Sequence, residues 1–169
     1  MCFSNKRIGM TPQKIFWRLC FGVLTCATVA LAGDTTQPTT QPATPPLAKL
    51  TIRVTGLRNH KGQLIFGIFT SADGFPMVPS KAVNWQVKPA DADTVVFTAM
   101  LPPGRYGASV LHDENKNNKM DKNLAGIPVE GYGETNNPKP RYRQATFAES
   151  RFDLPPEGAT FTISIQYFL

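Results

Sequence analysis

The sequence predicts an all-β domain built as a two-sheet sandwich, preceded by an export signal and a short tether. Three observations predict it. Apolar and polar residues alternate in short runs bounded by Gly, Pro, Asn or Asp; no segment repeats apolar residues at helical spacing over a useful length; and Cys2, Cys20 and Cys26 leave the rest of the chain without a thiol, so a hydrophobic core must hold it.

The alternation begins at Lys49, where Leu50, Ile52 and Val54 share one face while Thr51, Arg53 and Thr55 share the other, the pattern of a half-buried strand. Residues 62–70 (GQLIFGIFT) are apolar on both faces and rich in β-formers, so a strand is expected there. Val83, Trp85 and Val87 alternate with polar partners, and Val95, Phe97 and Ala99 do the same. Pro102-Pro103-Gly104 reads as the turn of a tight hairpin into residues 105–111, where Tyr106, Ala108 and Val110 share a face. After a long irregular stretch, strands are expected at 144–148 and 160–168, the latter with Phe161, Ile163, Ile165 and Tyr167 in line. About seven short strands at near-regular spacing over residues 49–169 suggest an immunoglobulin-like or transthyretin-like sandwich with one long Asp/Asn/Gly-rich loop.

Residues 1–32 read as a signal peptide. Lys6, Arg7, Lys14 and Arg18 lead into an apolar run, residues 19–32, that is shorter than the roughly 20 residues a bilayer span needs. Ala30-Leu31-Ala32 supplies the small-x-small cleavage site, with cleavage expected after Ala32. An uncleaved anchor fits the short run less well, and lipidation at Cys26 is disfavoured by Thr25, which stands where a small residue is wanted. Residues 33–48 are Thr, Gln and Pro with almost nothing to bury, hence an extended, disordered tether. The location implied is periplasmic or secreted, with no membrane span in the mature chain.

Charge placement excludes one class of partner. The chain of 169 residues carries a net charge of +6, but four of its basic residues precede the apolar run and no acid does, which leaves 14 basic against 12 acidic groups from residue 33 onward. A domain so near neutrality has no net electrostatic footprint for a polyanion, whether nucleic acid or an anionic membrane.

The sharpest local signal follows the fifth strand. Oxygen-bearing side chains recur at every second position: Asp113, Asn115 and Asn117 take the first, third and fifth places of a calcium loop, Lys119 offers its carbonyl at the seventh, and Asp121 falls at the ninth. A chain curling round a hard cation turns alternate residues inward and leaves Lys116 and the Lys119 side chain in solvent. Two positions depart from the pattern. Asn118 stands where glycine usually permits the sharp turn, and Leu124 stands where a bidentate acid is expected, so a further donor is needed from Glu114, Glu130 or the Asn123 carbonyl. Glu130 completes the candidate metal set. The competing reading is an Asx-turn-rich loop whose side chains satisfy its own backbone without metal.

Residues 125–137 (AGIPVEGYGETNN) contain too much Gly and Asn to predict a strand or helix, and an ordered loop fixed by tertiary contacts is expected instead. Its Tyr132, Glu134, Asn136 and Asn137 are the candidate ligand-binding residues, with Tyr132 equally readable as an aromatic that caps the core. Nothing here assembles a catalytic centre. From residue 33 onward the chain offers only His60 and His112 and no cysteine, the two histidines lack zinc-ligand spacing, and no Gly-x-Ser-x-Gly turn occurs. His112 is expected to be a strand-end residue packed or hydrogen-bonded beside the loop. Glu114 and Glu130 remain as an acid/base pair of the glycosidase kind for an extracytoplasmic hydrolase.

The segment HDENKNNKMDKN followed by GIPVEGYGETNN, after LPPGRYGASV, resembles the bacterial secreted family known as domain of unknown function 2141. The resemblance spans most of residues 49–169 and rests on Asp113, Asn115, Asn117, Asp121, Gly126, Ile127, Pro128, Glu130, Tyr132, Gly133, Asn136 and Asn137. Asn118 and Glu134-Thr135 depart from the family pattern, at the loop glycine and at an aromatic-Ser pair. The resemblance implies a fold and a compartment, not a reaction.

The expectation is therefore an exported, non-catalytic β-sandwich, binding or structural, with calcium in the 113–121 loop as its one cofactor and no organic cofactor. It is expected to be a monomer whose partner is an envelope or extracellular component. The alternatives are the hydrolase using acidic loop residues and a metal-free structural spacer of the cell envelope.

Overall fold

A computed structural model describes residues 46–139 and 143–168, so the predicted signal peptide and nearly all of the tether lie outside the described residues. Leu50, Ile52 and Val54 point inward from β1 (Ala48–Thr55) as their alternation requires, and all three are fully buried. β1 lies at the centre of a three-stranded sheet, antiparallel to β4 (Val95–Leu101) and parallel to β8 (Ala159–Ser164). The second sheet runs β3 (Asn84–Pro89), β2 (Gln63–Phe69), β5 (Gly104–Asp113), β6 (Gly131–Glu134), all antiparallel. The long β5 shares its other edge between two short strands: its first half pairs β7 (Arg151–Leu154) and its second half pairs β6.

The inner faces of the two sheets form one core. Phe66 of β2 stacks on Phe97 of β4 at 4.7 Å across the sandwich, flanked by Leu64, Ile68, Val110 and Ile163. Each such fully buried aliphatic or aromatic side chain is worth about 1.5–3 kcal/mol in area removed from water. The other face of β2 is covered too: Phe69 meets Phe75 edge-on, and Phe75 meets Phe147 in the same way. One flank of the sandwich is closed by a two-bond bridge between Tyr132 and Gln166. On the opposite flank Gln86 and Lys88 of β3 donate to the Thr98 and Val96 carbonyls of β4. The segment Gln41–Leu169 is one compact unit, and all the core residues lie within it, so it holds a complete hydrophobic core of its own.

The architecture is the predicted sandwich with eight strands in place of about seven. Three local expectations are corrected. Residues 102–104 do not turn a tight hairpin: β4 and β5 belong to different sheets, because two successive prolines lack the N–H groups a continuing ladder needs. The Tyr106 hydroxyl donates to the Pro102 carbonyl at 2.8 Å and ties down that crossing. Residues 144–148 are not a strand. Thr146 caps a single helical turn, α1 (Phe147–Ser150), in a capping box with Glu149, and the strand begins only at Arg151. Residues 131–134 of the expected loop form β6. A Cβ on Gly131 would lie 2.2 Å from the Tyr167 ring and one on Gly133 2.7 Å from Ile163, so the glycines that lower β-propensity are what lets β6 approach the end of the other sheet.

Candidate functional site

The candidate site is the excursion that leaves β5 at Asp113 and returns at β6. β5 carries its regular ladder to the end, where Asp113 pairs with Gln63 of β2 and is itself fully buried. Its carboxylate cannot reach water and is satisfied from within. Oδ1 accepts the Asn117 backbone N–H at 3.1 Å, and Oδ2 accepts the Asn118 N–H and the Gln63 side-chain amide, each at 2.8 Å. These bonds curl the chain into a closed turn, in which Lys116 and Asn118 both take left-handed φ, 62° and 61°.

The curl brings the other predicted side chains together. Asn115 and Asn117 both donate their side-chain amides to Asp121, at 2.6 Å and 3.0 Å, while their own Oδ1 atoms accept the N–H groups of Asn117 and Lys119. Glu130, one residue before β6, is buried and spans the base of the loop: Oε1 accepts the Glu114 N–H at 3.0 Å and Oε2 the Asp121 N–H at 3.1 Å. Burial pushes the Glu130 carboxyl above its usual range, and the charges of Asp121 and Asp113 push the same way, against the two backbone bonds. None of the salt bridges between described residues reaches Asp113, Asp121 or Glu130. Among the described residues no three His, Cys, Asp or Glu side chains are grouped to hold a metal by themselves. A cation here would have to draw on amide and carbonyl oxygens as well.

The other candidate donors are engaged elsewhere. Glu114 turns away from the curl and pairs with Arg58 at 2.7 Å and the Asn59 amide at 3.0 Å; burial raises its carboxyl, but these partners outweigh that and hold it below its usual range. The Asn123 carbonyl accepts the Gly126 N–H in a separate turn. His112 is fully buried between Tyr167 and Lys61. A carbonyl only accepts, so Nε2 carries a proton toward Lys61 O at 2.8 Å, and in the neutral ring Nδ1 accepts from the Tyr167 hydroxyl at 2.6 Å.

The four predicted ligand-contact residues divide into two pairs. Tyr132 and Glu134 of β6 line one small cleft together with Met77, Ser109 and Met120, the last of these from the loop itself. Tyr132 is nearly buried and stacks on Phe168 at 5.7 Å. Glu134 is 2 % exposed, and burial, with the charge of Glu149, pushes its carboxyl up to about 7. Asn136 and Asn137 do not join this cleft. Both take left-handed φ, and their amides hold the backbone of Glu149 and Arg151 on one side and of Thr162 and Ser164 on the other. Sequence reasoning missed Gln63, whose amide reaches both Asp113 and Asn118 from the neighbouring strand; no local signal marks it, since only strand pairing places it there.

A family model described as an uncharacterised protein conserved in bacteria, DUF2141, matches residues 52–162, which contain seven of the eight strands in full or in large part and the whole excursion. No curated protein and no solved structure matches the chain.

Proposed function

The chain belongs to this uncharacterised bacterial family, and on that premise we propose that it works as an exported, non-catalytic β-sandwich module, binding or structural, whose 113–121 loop is pinned by calcium. The observation that carries the reading is the convergence of Asp113, Asn115, Asn117 and Asp121 on one curl, beside the charge of Glu130 and with no basic side chain bridged to any of the three acids among the described residues. The amide nitrogen and oxygen of an asparagine are interchanged by a half-turn of the side chain. That rotation at Asn115 and Asn117 would replace two N–H donors facing Asp121 by two oxygens, at the cost of the bonds these oxygens now accept from the Asn117 and Lys119 N–H groups. Two carboxylates, two amides, the Lys119 carbonyl and water then make a hard-cation set of the usual size, with weak, extracellular-grade affinity of roughly 10⁻⁴–10⁻³ M.

Export is supported by the basic residues, short apolar run and Ala30-Leu31-Ala32 site at the N-terminus. A non-catalytic role is supported by the engagement of both His112 nitrogens and of Glu114 and Glu130, the groups a hydrolase would use. The metal-free spacer keeps one observation in its favour: Asp113 already has three internal donors.

Calorimetric titration of calcium into the unit Gln41–Leu169 separates these readings. With about 10 mM calcium the folded state should gain about 1.4–2.7 kcal/mol, seen as a raised melting temperature. Asp121→Asn should lose both the heat and the stabilisation. Equal heats and equal melting in the two proteins would retire calcium and leave the spacer.

A further inference from the structure

The excursion between β5 and β6 has an outer end that takes no part in the oxygen curl. Residues 122–128 form a tight turn of their own, closed at its base by Asp121 and Val129. The Asn123 side chain accepts the N–H groups of Ala125 and Ile127, each at 3.0 Å; Gly126 N donates to the Asn123 carbonyl and Asn123 N to that of Ile127; Val129 N returns to Asp121 O, and Lys122 bridges to Pro128. This turn holds two large apolar side chains out in water. Leu124 is fully exposed and Ile127 is 40 % exposed, and at Gly126 the surrounding space is open. Isolated apolar side chains on a surface are ordinary. A turn closed by its own hydrogen bonds that leaves two of them exposed three residues apart is less so.

A second observation points to what they meet. Lys116, Lys119 and Lys122 lie on the same excursion, all exposed, and none is in a salt bridge among the described residues. The one acidic side chain among residues 115–129, Asp121, is already engaged by the amides of Asn115 and Asn117. The excursion thus carries two exposed apolar side chains and three exposed ammonium groups outside any salt bridge among the described residues.

We propose that this turn docks on an anionic phospholipid surface, Leu124 and Ile127 entering the boundary between headgroups and acyl chains while the three lysines stay among the phosphates. Shallow insertion of a few apolar groups, added to attraction between lysines and anionic headgroups, is the physical recipe for peripheral attachment. The alternative, a protein partner, is disfavoured by size: a stable protein interface buries about 800 Å² on each side, far more than two side chains on a turn present. The proposal does not depend on calcium in the curl, so it is tested in chelator.

The unit Gln41–Leu169 is mixed with phosphatidylcholine vesicles, with and without about 30 % phosphatidylglycerol. Because Cys2, Cys20 and Cys26 all precede this unit, Ala125→Cys carries the only thiol and takes an environment-sensitive fluorophore at the turn. Partitioning at least about tenfold stronger to the anionic vesicles is expected, with a blue shift of the label. Leu124→Asp with Ile127→Asp should weaken partitioning about a hundredfold, and Lys→Gln at 116, 119 and 122 should do the same while flattening its salt dependence. Absent or charge-independent partitioning, a label that stays in water, or full partitioning by the Asp double variant would each overturn the proposal. Should the double variant melt early, the labelled protein still decides.

Discussion

Asp113 Oδ2 accepts the backbone N–H of Asn118 at 2.8 Å, and Asn118 makes that bond from a left-handed backbone, φ 61°. Glycine is the residue expected at the sixth place of such a loop because it bears no Cβ to oppose that conformation. Asparagine serves because it tolerates left-handed φ, and here its side-chain oxygen also accepts from Gln63 at 3.0 Å.

Replacing Asn118 tests that account. Asn118→Gly should leave stability within about 0.5 kcal/mol of the parent, since relief of backbone strain offsets the lost Gln63 bond. Asn118→Ala loses the bond and gains no relief, and should cost about 1–2 kcal/mol in urea unfolding. Equal losses in the two variants would show that the bond to Gln63, not the backbone, makes asparagine suitable.

Asp113 anchors the curl, so its removal should be felt well beyond one residue. Asp113→Ala leaves the Gln63 amide and two backbone N–H groups without their acceptor and should destabilise by about 2–4 kcal/mol. Asp113→Asn keeps one acceptor and should lose about half as much. Hydrogen exchange at Asn117 and Asn118 would accelerate in the Ala variant; unchanged exchange there would mean that the turn closes without the carboxylate.

Glu134 predicts a pH dependence of definite sign. Its carboxyl is raised from 4.5 to about 7, so between those values the folded protein keeps a proton that the unfolded chain has released. The stabilisation is complete below about pH 4.5 and is lost as pH rises to about 7, after which it stays lost. Glu130 is shifted in the same direction and adds to the slope. Glu134→Gln removes the cost of ionising a buried group and should gain a few kcal/mol at about pH 8 while changing little at about pH 4. Parallel stability curves for the two proteins across this range would count against a neutral, buried Glu134.

Residues whose environment is set by their neighbours in the chain were readable in advance. The period-two burial of Leu50, Ile52 and Val54 follows from strand geometry alone, and the strand at residues 63–69 from a run of β-formers apolar on both faces. The alternate oxygens of residues 113–121 likewise announced a curl, because a chain bending round a point turns every second side chain inward. Even α1 had its sign in the Thr146–Glu149 spacing, though the apolar residues around it read more readily as strand.

Tertiary structure alone decided the remainder. Whether residues 131–134 are loop or strand depends on how closely Gly131 and Gly133 approach Ile163, Ile165 and Tyr167, residues some thirty positions away. The step of β5 into the other sheet, the arrival of Gln63 at Asp113, and the use of Asn136 and Asn137 as clamps on α1, β7 and β8 all arise from contacts between distant segments. Local pattern reports which face of a strand is buried; only the folded chain determines what that face is buried against, and at this site the chemistry lies in the second of these.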